Sequence, residues 1–209
     1  MTPGATFERV MAGLRVRLHT GTFALGDALE PAHLADDLFT SITPVRDALH
    51  RLVGERLVEV APSGGFRVPL LTEVGLRHLY DWNQKLLQLA IADAVRQTDT
   101  AVVAPPATGP EPDAAAALFI RIAQFSRNPE CAATLGGVND RLAMVRTREL
   151  ALLGSDEIRQ EICILQGHLD AGQWTELRRG IQLYHRRREK LVGRIIAALH
   201  QSVSPPPEG

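Results

Sequence analysis

The run Thr43-Pro44-Val45-Arg46-Asp47-Ala48-Leu49-His50-Arg51-Leu52 constrains this chain more than any other feature. Proline is best tolerated at the first helical position and threonine is a natural cap, so the run predicts a helix opening at Pro44. Val45, Ala48, Leu49 and Leu52 follow at i, i+3, i+4 and i+7 and form one buried stripe. The opposite face then carries Thr43, Arg46, Asp47, His50 and Arg51. After Gly54, two apolar runs, Leu57–Ala61 and Phe66–Leu70, flank Pro62-Ser63-Gly64-Gly65 and read as a hairpin. Upstream, Phe7, Val10, Met11, Leu14 and Leu18 recur at helical steps, predicting a helix over Thr6–His19 capped by Thr6 and stopped at Gly21. A turn at Leu25-Gly26 precedes a second helix opened by Pro31, with Leu34, Ala35 and Leu38 inward. A turn over Phe39–Ile42 leads into the third. Helix, helix, turn, helix, hairpin is the order of a winged helix-turn-helix, whose third helix can enter a major groove.

The rest of the 209 residues reads as helical, apart from a Pro- and Gly-broken loop between Thr98 and Pro112. The expected fold is therefore mainly α: a winged helix-turn-helix of three helices and a β-hairpin over 5–70, an all-α bundle over 71–201, and a disordered tail over 202–209. Hydrophobic residues make up 45% and charged residues 22%, which excludes wholesale disorder. No apolar run approaches the ~18 residues of a membrane span and no signal core opens the chain, so a soluble, cytoplasmic protein is expected. Cys131 and Cys163 are too few for a zinc knuckle or a disulfide framework and read as small hydrophobes within helices. No nucleophile–base pair, phosphate loop or metal-ligand spacing argues for catalysis, so no enzyme is expected.

The front of the chain resembles the DNA-binding domain of GntR-family bacterial transcription regulators. The resemblance lies in LRVRLHTGTFALGDAL (Leu14–Leu29), LADDLFTSITPVRDALHRLVGERLVEV (Leu34–Val60) and SGGFRV (Ser63–Val68). Arg46 matches the family's recognition-helix arginine, whereas the arginine that follows the helix-turn serine in the family is Ile42 here. The helical remainder resembles the effector and dimerisation domain of the FadR branch, through FIRIAQFSRNPE (Phe119–Glu130) and HLDAGQW (His168–Trp174). Many relatives in that branch bind a divalent metal with one aspartate and three histidines. Motif matching puts Ala116, Ile120, Ile162 and Tyr184, beside His185, at those places. Such side chains cannot supply the N/O ligands of zinc, nickel or manganese, so no metal or other cofactor is expected.

The resemblance implies a sequence-specific regulator that binds a double-stranded DNA operator as a homodimer, represses by occupying it, and responds to a small-molecule effector. Arg46 has the donors for a bidentate guanine contact, and Ser41 and Thr43 suit phosphate. His50, Arg51, Gly64, Gly65 and Arg67 complete the expected DNA surface, the last three as a wing tip. Against this stands a low basic content: through Gly75 the chain has seven arginines, no lysine and nine carboxylates. That balance also fits a non-sensing protein-interaction module derived from such a regulator. Inside the bundle, Asn83, Arg121, Arg148 and Tyr184, with Ile120 and Ile162, form a candidate effector pocket, unless the arginines lie on the surface and Tyr184 merely packs. The run Arg186-Arg187-Arg188 reads as a solvated face.

Overall fold

The computed structural model describes residues 3–96 and 113–201; the expected loop at Thr98–Pro112 and the tail 202–209 lie outside the described residues. Cα packing divides the chain into two compact units. Of the described residues, one holds those before Thr72 together with 196–201, and the other those within Thr72–Ile195.

In the first unit, helices α1 (Pro3–His19), α2 (Pro31–Asp37) and α3 (Ile42–Gly54) precede strands β1 (Glu59–Val60) and β2 (Phe66–Arg67). This is the expected winged helix-turn-helix, with shifted boundaries. α1 starts at Pro3 rather than after Thr6, which a proline permits because the first helical N–H groups have no intrahelical acceptor. α3 starts at Ile42, with the extended residue Ser41 at its N-cap position and no side-chain cap bond, so Pro44 lies within the first turn and Thr43 is a helical residue rather than the cap. The paired strands are two residues each, shorter than the apolar runs, with Glu59 opposite Arg67 and Val60 opposite Phe66. A partner absent from the sequence reading extends them. Leu29 N–H donates to Phe66 O at 2.8 Å and Gly26 N–H to Val68 O at 3.0 Å, so the segment read as a turn lies along β2.

Val10, Met11, Leu14, Leu18, Leu34, Val45, Leu49 and Leu52 are buried, and α3 packs on both α1 and α2. The wing turn holds Gly64 and Gly65 at φ 87° and 80°, the left-handed region that favours glycine. Phe39, in the turn before α3, adopts φ 49° as well, and its side chain is 91% exposed. A bulky residue there carries backbone strain with no packing to offset it. Phe39→Gly is therefore expected to stabilise this unit by about 1 kcal/mol, read as a higher urea midpoint with an unchanged slope.

The described residues of the second unit form helices joined by short turns: α4 (Glu73–Arg96), α5 (Ala114–Ala123), α6 (Pro129–Leu153), α7 (Ser155–Asp170), α8 (Trp174–Glu189) and the start of α9 (Val192–Gln201). α4 packs against α5, α6 and α8, while α7 packs against α5, α6 and α8. Asp113 caps α5 by accepting from Ala116 N–H at 2.9 Å, and Asn128 with Pro129 opens α6. The interior is lined by Leu76, Leu87, Ile91, Phe119, Ile122, Leu135, Leu177 and Ile181. Among the described residues, no helix is long and apolar enough to cross a membrane. Cys131 is buried, whereas Cys163 is exposed on the outer face of α7, so only the first behaves as a core residue.

Candidate DNA interface and the interior of the helical unit

α3 presents Ser41, Ile42, Thr43, Arg46, Asp47, His50 and Arg51 to solvent, because the stripe Val45-Ala48-Leu49-Leu52 consumes its other face. The three arginines of the expected DNA surface differ in electrostatic state. Arg51 Nε lies 3.4 Å from Glu55, one turn along, and Glu55 also receives Arg15 at 2.5 Å. Arg67 Nε lies 2.6 Å from Glu59 across the hairpin and is half-buried. It is therefore part of the body of the wing, and the tip consists of the exposed Gly64 and Gly65. Arg46 is exposed, and among the described residues no carboxylate pairs with it. His50 packs edge-on against Phe66 at 4.9 Å between centroids, which ties the outer end of α3 to the wing. Arg9 braces the turn by donating to Leu38 O at 2.7 Å. Among the described residues, Arg46 is thus an uncompensated cation at the centre of the face, with hydroxyls of Ser41 and Thr43 a turn ahead of it.

The six residues expected around an effector have different environments in the second unit. Asn83, Ile162 and Tyr184 are buried, Ile120 and Arg148 are half-buried, and Arg121 reaches Asp170 at 2.5 Å. The charged residues that occupy the core are others. Arg188, expected on a solvated face, is fully buried; only Arg186 in that run is exposed. Its Nε meets Glu149 at 2.8 Å, its Nη1 meets Glu161 at 2.9 Å, and its guanidinium carbon stands 3.2 Å over the Tyr184 ring. Glu149 also accepts from the Tyr80 hydroxyl, so this cluster joins α4, α6, α7 and α8. Burial opposes the charge on Arg188, but Tyr184, Glu149 and Glu161 outweigh it and the guanidinium is held charged. Burial, with Glu149 adding to it, pushes the Tyr80 hydroxyl well above its ordinary range, so it remains a donor. A second pair, Arg146 with Asp113, ties α6 to the cap of α5, and Arg146 Nη2 donates to Asn139 O at 2.8 Å.

Burial pushes the His185 imidazole down to about 4. A neutral ring has one N–H: Nδ1 donates to Ile181 O at 2.8 Å, which makes Nε2 an acceptor. Asn83 Oδ1 lies 2.9 Å from Nε2 while the Asn83 amide nitrogen has no partner. A half-turn of that amide supplies Nε2 with a donor and the amide nitrogen with an acceptor. The unfolded chain binds a proton near pH 6.5 and the folded one only near 4, so the histidine's contribution is complete above pH 6.5 and is lost as pH falls between those values. The loss is on the order of 3 kcal/mol. Denaturant titrations at pH 7 and pH 4 check it: the pH difference shrinks in His185→Gln.

Residues 6–68 match the family model described as bacterial regulatory proteins, gntR family. The chain is 42% identical over 85 residues to the HTH-type transcriptional regulator McbR of Escherichia coli K12; the match takes in 39% of this chain and 37% of that protein. In structure, it is similar to E. coli McbR/YncC, with a TM-score of 0.63 at 22% identity over 98% of this chain and all of that one. It is also similar to a putative GntR transcriptional regulator from Rhodococcus sp. RHA1, with a TM-score of 0.69 at 18% identity over 90% and 97% of the two chains. At such identities the two structures establish the fold, a winged helix-turn-helix followed by a helical domain. The family match itself covers the first unit.

Proposed function

We propose that this chain is a transcription regulator that binds operator DNA as a homodimer through α3 and the wing. The observation that carries this reading is the solvent-exposed, uncompensated Arg46 on α3, within the segment that matches the gntR family model. A guanidinium on the outer face of such a helix can meet guanine O6 and N7 through two parallel donors. Ser41, Thr43 and the wing turn then fix register on phosphates. With Arg51 and Arg67 already paired to carboxylates, one copy has few cations to spend. Two copies double the phosphate contacts, so useful affinity belongs to paired sites. Repression follows from occupying the operator, and the helical unit adjusts the dimer when a small molecule binds one arrangement better than another.

Fluorescence-anisotropy titration of the full chain against DNA from upstream of its own gene, at 50 and 200 mM salt, tests the reading. A dimer engaging about five phosphates loses roughly 10²–10³-fold in affinity between those conditions. The paired state of Arg51 and Arg67 also favours a second reading, a protein-interaction module. Absence of duplex binding at both salt concentrations supports that reading and overturns the first.

A further inference from the structure

We infer that Ile42 is a base-reading residue that selects thymine through its 5-methyl group. This inference rests on the DNA-binding reading above. Ile42 is the first residue of α3 and is 45% exposed, outside the buried stripe that begins at Val45. It lies four residues before Arg46, and residues at i and i+4 share a helix face. The uncompensated guanidinium and the isoleucine therefore point the same way, with the exposed Ser41 and Thr43 beside them. A face that carries a cation and two hydroxyls is suited to a duplex, and an aliphatic side chain among them has one complementary group on base edges in the major groove. That group is the thymine methyl, the apolar feature of the groove's donor and acceptor pattern. The isoleucine side chain offers no hydrogen bond, so it does not read guanine as an arginine does. The adjoining Phe39, 91% exposed in the turn, adds apolar surface at the same end of α3. Four residues of helix rise about 6 Å, close to two base-pair steps, which sets the spacing between the thymine and the guanine read by Arg46.

The experiment selects duplexes from a random pool with the full-length chain, then replaces each thymine of the winner by deoxyuridine, which removes the methyl and leaves pairing intact. The expected result is a thymine roughly one to three base pairs from an essential guanine, at which deoxyuridine weakens binding about fourfold per half-site. Ile42→Ser binds both duplexes alike, Ile42→Val keeps the discrimination, and Ile42→Arg shifts the preferred base from thymine to guanine. Tight binding of selected duplexes with no response to deoxyuridine at any position overturns the inference and leaves the DNA-binding reading standing. A pool from which nothing is enriched overturns both.

Discussion

Truncating Arg188 to alanine is expected to destabilise the helical unit by about 3–5 kcal/mol, because it strands buried charge without a partner. Arg188 and Glu149 are both almost wholly buried, and the pair is completed by Glu161 and the Tyr80 hydroxyl. Removing the guanidinium leaves the Glu149 carboxylate in a low-dielectric interior with the tyrosine as its remaining donor. It also removes the cation from the Tyr184 face. The pair is not thereby a large net source of stability, since desolvating two ions offsets most of their attraction. The double replacement Arg188→Met with Glu149→Leu is accordingly expected to cost less than half as much as Arg188→Ala alone. Urea unfolding followed by circular dichroism checks both. A loss under 1 kcal/mol in Arg188→Ala would show that the cluster does not hold α4, α6, α7 and α8 together.

That cluster also shows where sequence reading stops. The first unit was legible because its signals are local: Pro44 within a first turn, one apolar stripe on α3, and two glycines at positive φ in the wing. Shifts of two or three residues at the starts of α1 and α3 follow from the tolerance of a helix's first turn for proline, which leaves several starts equivalent. The strand-like segment Gly26–Leu29 carried only a turn signal, since its pairing with β2 is set by long-range contact. Three consecutive arginines resemble a solvated face, which hides the burial of Arg188. Its position does hold a clue: Leu177, Ile181, Tyr184 and Arg188 recur at helical steps, so Arg188 continues the inward stripe. Glu149 continues Val138, Leu142 and Val145 in the same way. A charge on an apolar stripe marks a buried pair only when an opposite charge faces it, and sequence spacing does not reveal which helices meet.

The second large effect concerns recognition. Arg46→Ala is expected to lower affinity for the selected operator about 5- to 150-fold per half-site, from the loss of a bidentate guanine contact worth about 1–3 kcal/mol. Its fold is unaffected, because the side chain is exposed and pairs with no carboxylate among the described residues. Arg46→Lys keeps the charge but not the planar pair of donors, so it restores salt-dependent binding without restoring base preference. Equilibrium titrations against the selected duplex and a scrambled one separate these effects. Equal affinity of Arg46→Ala and the parent for the selected duplex would remove Arg46 from the interface.

In the proposed complex, two copies of α3 enter the same face of one duplex. Hydroxyl-radical footprinting of the full chain on its selected operator tests this most directly. Two protected patches related by inverted sequence are expected, their centres one helical turn, roughly 10 base pairs, apart or a multiple of it. In Arg46→Ala both patches weaken together at the concentration that saturates the parent. A single isolated patch at saturation, or uniform protection without a period, would contradict it.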